Sequence, residues 1–170
     1  FVEKSGIPAA WTILGVSALP TSHELNVGMV GMHGNYGPNL LTNECDLLIA
    51  IGMRFDDRVT GDPKTYAKQA KIIHLDIDPA EINKNIKVEV PIIGDCKESL
   101  KLITDKIEKK SHNKWISKFD DLMKIEFDKV INSDLNPSKK GLTMGESIIA
   151  INEQTKGDAI IVTDVGQHQM

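Results

Sequence analysis

At 170 residues the chain has room for one domain with its own core and a piece of a second. Its 41% hydrophobic and 26% charged residues are those of an ordinary globular protein and exclude collagenous or disordered classes. A net charge of -4, with lysines interleaved among Asp and Glu, argues against a nucleic-acid partner, so Lys109-Lys110 and Lys139-Lys140 read as solvated surface, not a phosphate patch.

Phe1 is followed by Val2, Glu3, Lys4, Ser5 and Gly6, which reads as the last turn of a helix closing on a glycine cap, and as a start in mid-protein. Short apolar runs then recur, each followed by Gly or Asp and by helical periodicity, the alternation expected of parallel strands joined by crossover helices. A strand is expected over 7–13 and a helix over 38–44. The strand over 46–51 is apolar on consecutive positions from Leu47 to Ile51, so both its faces are expected to be covered. A helix over 63–69, a strand over 71–77, a helix over 79–85 and a short strand over 91–93 follow. Pro38, Pro63 and Pro79 each stand at a first helical position, where the missing N–H has no intrahelical partner to lose.

A helix over 96–109 carries Cys96, Leu100, Ile103 and Ile107 on one stripe, and another over 112–131 carries Ile116, Phe119, Met123, Phe127 and Val130; both stripes read as core or docking surface. Residues 132–141 form the clear linker. A helix over 143–156 and a strand over 159–163 then open what reads as a second α/β unit, cut soon after its strand. The fold class is α/β: a doubly wound, mostly parallel, Rossmann-like sheet with a C-terminal helical arm.

Cys45 and Cys96 belong to no C-x-x-C pair and no zinc-spaced cluster, and two unpaired thiols suggest a reducing compartment. No apolar stretch approaches the ~20 residues of a membrane-crossing helix, and no signal-peptide pattern opens the chain. The cytoplasm is the default location, with an organelle open if a transit peptide has been removed.

Four segments can carry chemistry. Gly31-Met32-His33-Gly34-Asn35-Tyr36-Gly37-Pro38 is glycine-rich before a helix start, and reads equally as an anion-accepting loop or as ordinary turns. Gly52-Met53-Arg54-Phe55-Asp56-Asp57-Arg58-Val59-Thr60-Gly61 follows the most apolar strand; Arg54 or Arg58 can fork onto a phosphate or carboxylate, and a surface ion-pair cluster is the competing account. His74-Leu75-Asp76-Ile77-Asp78-Pro79 ends a strand in acids, with Asp78 placed to cap a helix and Asp76 to face ligand hydroxyls, as an acid does in dinucleotide folds. His74 lies within that strand and reads as a satisfied core histidine. Gly94-Asp95-Cys96 sits at a strand end, where Asp95 is either a cap or a contact to adenosine or ribitol. All four fall at carboxyl ends of successive strands, which favours one cofactor cleft over four unrelated loops.

Together with the terminal Asp164-Val165-Gly166-Gln167-His168-Gln169-Met170, these segments resemble the acetolactate synthase (acetohydroxyacid synthase) large catalytic subunit family in order and spacing, over essentially the whole chain. Residues 7–13 with Thr12-Ile13-Leu14-Gly15 resemble the family segment before its Gly-Met-His-Gly loop. The resemblance implies a three-domain enzyme that uses thiamine diphosphate and magnesium to decarboxylate pyruvate. The resulting carbanion adds to pyruvate or 2-oxobutanoate in branched-chain amino-acid biosynthesis. It implies a homo-oligomer with a small regulatory subunit, and FAD held mainly on the central domain without net redox turnover.

By that resemblance, FAD contacts fall on Thr12, Ile13, Leu14, Met32, His33, Gly34, Gly52, Arg54, Asp57, Asp76, Ile77, Gly94 and Asp95. Arg58 stands near substrate entry, where its charge can hold a 2-oxoacid carboxylate. Val165, Gly166, Gln167 and His168 border the diphosphate of thiamine diphosphate. Residues 1–110 then form the central FAD-binding domain without its first strand and helix, 111–141 a helix and linker, and 142–170 the start of the thiamine-diphosphate domain. The activating glutamate and the magnesium motif would lie in domains outside these residues, so no catalytic residue and no metal ligand is named, and the segment alone is expected to be inactive. Two alternatives stay open: another thiamine-diphosphate lyase whose central domain binds ADP or nothing, and a stand-alone nucleotide-binding or regulatory module.

Overall fold

The computed structural model describes residues 1–137, 141–164 and 166. They form two compact units, Phe1–Asp120 and Asp121–Met170.

In the first unit, Gly6 takes a left-handed conformation (φ 66°, ψ 14°) and donates its N–H to the Val2 carbonyl at 2.8 Å, closing α1 (Val2–Ser5) as the glycine cap predicts. The same residue lies so close to the Lys110 carbonyl that an added Cβ would collide with it. The chain end is held there by Lys110 N–H to Lys4 O at 3.0 Å and by Lys4 Nζ to Thr104 O at 2.6 Å.

Strand β1 (Ala9–Trp11) is shorter than the 7–13 run and pairs in parallel with β2 (Asn26–Met29), a strand the pattern did not announce. Asn26 and Gly28 are weak strand formers. Here Asn26 Oδ1 instead accepts from Trp11 Nε1 at 3.2 Å and ties the two strands together. Helix α2 (Tyr36–Thr42) packs on β2, and then β3 (Leu47–Ile51), β4 (Lys71–Asp76) and β5 (Val90–Ile93) form a parallel sheet in that order. Between them lies the short α3 (Asp57–Thr60), and α4 (Cys96–Lys106) packs against β4. Its Cys96, Leu100, Ile103 and Ile107 stripe is the less exposed side of that helix.

One face of the three-stranded sheet, with Leu48, Ala50 and Ile72, closes over Phe55, Tyr66, Ala67, Ile86 and Val88. The other face corrects the expectation for 46–51. Leu75 is buried there, but Leu47 and Ile51, opposite Lys71 and Leu75, are each 40% exposed. The reason is position: β3 is the edge strand, while the covering helix lies against β4.

Two expected helices are also corrected. Residues 63–69 form turns, because the Ala67 N–H that a helix would give to Pro63 goes to Asn43 Oδ1 at 2.8 Å, and Ala67 itself takes φ 44°. Residues 79–85 shrink to one 3₁₀ turn, Pro79–Glu81, after which Asn83 takes φ 60° and its side chain accepts the Val88 N–H at 2.8 Å.

Helix α5 (Asn113–Glu126) is followed by a π turn over Phe127–Ile131 and by α6 (Asn132–Leu135), so helix extends into the expected linker. Phe119 is buried, while Met123, Phe127 and Val130 of the same stripe are exposed. In the second unit, α7 (Met144–Thr155) begins with a capping box in which Thr143 Oγ1 accepts from Glu146 N–H at 3.1 Å and Glu146 Oε2 from Thr143 N–H at 2.9 Å. Residues 159–163 are not a strand: none of the described strands pairs with them, and Ile160 is 95% exposed. An apolar run without a ladder partner has no sheet to join.

Gly6→Ala should destabilise the fold by about 2–4 kcal/mol, through left-handed backbone cost plus overpacking against residue 110. A lowered urea midpoint at unchanged slope would register it; an unchanged midpoint would show that neither constraint holds.

Candidate functional site

Parallel pairing places the carboxyl ends of β3, β4 and β5 on one edge. Gly52 N–H donates to Leu75 O at 2.8 Å and Gly94 N–H to Asp76 O at 2.9 Å, so Gly52, Asp76 and Gly94 meet there. Both glycines have positive φ, 59° and 156°. A Cβ on Gly52 would meet only Cys96 Sγ, at 3.9 Å, and one on Gly94 only Ser99 Oγ, at 3.6 Å, so the backbone lies open to close approach.

Between the glycines, Asp76 is 7% exposed. Its Oδ1 accepts the Asp78 N–H at 2.9 Å, and His74 Nε2 is 3.7 Å from Oδ2. Asp78 in turn caps the Pro79 turn through Ala80 N–H at 2.9 Å, so of the two acids it is Asp78 that serves as the cap. Asp95 caps α4 by accepting from Glu98 N–H at 3.1 Å. Ile77 and Ile93 stand exposed beside them. His74 corrects one expectation: it is in the core, at 0% exposure, but neither ring nitrogen has a hydrogen-bond partner among the described residues.

The loop after β3 divides its charges. Arg54 Nη2 pairs with Asp56 Oδ2 at 3.2 Å on the surface, which is the ion-pair account. Arg58 instead touches Met32 Sδ with Nη1 at 3.7 Å, and Asp57 opens α3 on the exposed side. Met32 N–H also donates to Arg58 O at 2.7 Å, which joins the loop after β2 to α3. Asn39, which the sequence did not single out, clamps that loop by accepting Gly31 N–H and donating to Gly31 O, each at 2.8 Å. Its role is carried by tertiary geometry and left no sequence signal. A cleft of about 360 Å³ is lined there by Gly31, Met32, Asn39, Asp57, Arg58 and Tyr66, among others.

Gly34 serves the turn, since any Cβ would run into the Met29 carbonyl, while His33 is exposed. Thr12 precedes a 3₁₀ turn at the end of β1, with Ile13 and Leu14 exposed beyond it. The candidates therefore form two groups, one around the β1–β2 ends and the cleft, one along the β3–β4–β5 edge. Gly166 lies in a half-buried bend of the second unit; Val165, Gln167 and His168 lie outside the described residues.

Both thiols are held protonated. Cys96 is pushed up by burial and then by Asp76 and Asp95, and Cys45 by burial and then by Asp46, so neither has the environment of a reactive thiolate. Among the described residues no group of three or more His, Cys, Asp or Glu could hold a metal ion, and no helix is long and apolar enough to cross a membrane.

Parallel strands whose carboxyl edge gathers open glycine backbone and one buried acid define an α/β domain of the kind that binds ligands at its strand ends. The chain belongs to the thiamine pyrophosphate enzyme central-domain family, whose model matches residues 1–103. It is 44% identical to an acetolactate synthase large subunit of Lactococcus lactis, over 100% of this chain and 29% of that protein. It is 42% identical to a probable acetolactate synthase large subunit of Methanocaldococcus jannaschii, over 96% of this chain and 28% of the relative. Acetolactate synthase 2, chloroplastic, of Zea mays is also 42% identical, over 100% and 27%. The chain thus spans less than a third of the length of these curated relatives.

The Tyr66 phenol on the cleft wall is pushed from 10.0 up to about 12, by burial first and then by Cys45. The folded state holds this proton more tightly, so the stability it contributes is complete below pH 10.0 and is lost as pH rises from there through about 12. Tyr66→Phe, with no such proton, should lose roughly 2 kcal/mol less stability than the wild type between about pH 9 and pH 12. Urea midpoints at the two pH values test this; parallel losses would contradict it.

Proposed function

We propose that these residues are the central scaffold of an acetolactate synthase large subunit and hold FAD along the β3–β4–β5 edge. The observation that carries this reading is the strand-tip acid Asp76, buried between two glycines whose backbone is open to a ligand. That arrangement fits a flavin dinucleotide: Asp76 accepts from ribose or ribityl hydroxyls, Gly52 and Gly94 allow backbone contact, and Ile77 and Ile93 offer apolar surface. The bound FAD supplies a flat isoalloxazine ring, which by resemblance to the family undergoes no net redox turnover. Thr12, Ile13 and Leu14, Met32, His33 and Gly34, Arg54, Asp57 and Asp95 complete its surroundings in this reading. In this reading Arg58, whose guanidinium contacts Met32, attracts a 2-oxoacid carboxylate such as that of pyruvate or 2-oxobutanoate.

The complete enzyme would use thiamine diphosphate and magnesium in branched-chain amino-acid biosynthesis, as a homo-oligomer with a small regulatory subunit, in the cytoplasm or an organelle. Val165, Gly166, Gln167 and His168 are assigned to the diphosphate edge on resemblance alone. In this reading residues 1–110 are the central domain, 111–141 a helix and linker, and 142–170 the beginning of the thiamine-diphosphate domain.

Asp76→Ala in the complete polypeptide should weaken FAD binding by about ten- to a hundredfold, the equivalent of roughly 1.5–3 kcal/mol for one charge-assisted hydrogen bond. Flavin titration decides it, and unchanged affinity removes Asp76 from the site. Titration with ADP in the same experiment tests the adenine-nucleotide alternative. The domain division predicts that limited proteolysis cuts first between residues 132 and 141; an earlier cut within 46–95 would refute it.

A further inference from the structure

Alternation along β4 puts His74 and Asp76 on the same face of the strand, two residues apart. His74 is fully buried, and the Phe55 ring stands against it at 5.0 Å between centroids and 78° between planes. A buried N–H without an acceptor is rare in folded proteins, whereas a buried lone pair is better tolerated. The imidazole must carry at least one proton, and the closest carboxylate oxygen is Asp76 Oδ2, 3.7 Å from Nε2. That gap is too long for a hydrogen bond and short enough for a small rotation of the carboxylate to close it. Oδ1 is already fixed by the Asp78 N–H, so Oδ2 is the oxygen left for the imidazole.

We propose that His74 is the positioning residue for Asp76. Nε2 bears the ring proton and donates it in a hydrogen bond to Oδ2, Nδ1 remains a bare lone pair, and no proton is transferred. The backbone then fixes one carboxylate oxygen and the imidazole the other, with the remaining lone pairs directed at the hydroxyls of a bound polyol. The inference deepens the flavin reading and depends on it for the ligand, but not for the His74–Asp76 pair itself.

The test uses the complete polypeptide as wild type, His74→Gln, His74→Leu, Asp76→Asn and the His74→Leu/Asp76→Asn double variant. Thermal melts are run beside FAD titrations by fluorescence quenching. His74→Leu fills the core without a donor, so it should melt no lower than wild type yet bind FAD about tenfold more weakly. His74→Gln, whose amide reaches a similar point as a donor, should stay within about threefold of wild type. In the Asp76→Asn background His74→Leu should cause no further loss, because the two act as one unit. A folded His74→Leu protein that binds FAD as wild type does would overturn the proposal.

Ring-nitrogen NMR of the flavin-free wild type supplies a readout that needs no flavin. It should show Nε2 protonated, with a signal that shifts in Asp76→Asn. An Nδ1-protonated ring, or a signal indifferent to Asp76, would also overturn the pairing. A wild type that binds no FAD would defeat the flavin reading while leaving the NMR result to decide the pair.

Discussion

The parallel ladder between β3, β4 and β5 is the constraint from which the rest follows. Its register, Leu47 with Lys71 through Ile51 with Leu75, and Ile73 with Val90 through Asp76 with Ile93, makes the strands end together. A parallel strand cannot be joined to the next by a tight turn, so the chain must leave at the carboxyl edge and return to the opposite one. Residues 52, 76 and 94 therefore leave the sheet side by side although they are far apart in sequence. Gly52 and Gly94 each extend the ladder by one bond and then turn away with positive φ, which exposes the backbone next to Asp76.

The sheet was legible because buried strands announce themselves by local composition. The apolar runs at 46–51, 71–77 and 91–93 all became strands of the central sheet, and the Cys96 stripe became the inward side of α4. What misled was competition from elsewhere in the chain. Asn43 lies 24 positions before Ala67 and takes the N–H on which a helix over 63–69 depended. β2 was missed for a related reason: Asn26 argues against a strand until its side chain is seen holding the Trp11 indole. Residues 159–163 have strand composition, but a strand is a relation between two segments and the run has no partner among those described.

The candidate site was legible in position more than in detail. Acids and glycines at strand ends pointed to the carboxyl edge of the sheet, where residues 52, 76 and 94 meet, and Pro79 makes Asp78 a cap. The sequence could not separate glycines with open space beside them from glycines that the chain's own packing requires. Gly34 belongs to the second kind, because the carbonyl of Met29 excludes any side chain there, whereas Gly52 has open space. Nor could the pattern tell Arg54 from Arg58. Their difference is set by distance, since only Arg54 has its guanidinium on Asp56 while Arg58 meets a thioether.

Phe55 shows how the loop that separates those two arginines is held. Its φ of 53° is strained for a residue with a side chain, at a cost on the order of 1–3 kcal/mol. Its ring is 2% exposed and meets the rings of His74 and Tyr66 edge-on, at 5.0 and 6.2 Å between centroids. Full burial of such a ring stabilises by about 1.5–3 kcal/mol, and aromatic contacts add about 0.5–1.5 kcal/mol. Burial thus offsets the strain, and the turn stands without help from a ligand. With Phe55 driven inward, Arg54 is left at the surface and α3 begins at Asp57, which carries the Arg58 carbonyl to the Met32 N–H. A glycine at 55 would relax the backbone but release the anchor. The charged loop would then lose the geometry that joins the β2 loop to the sheet edge.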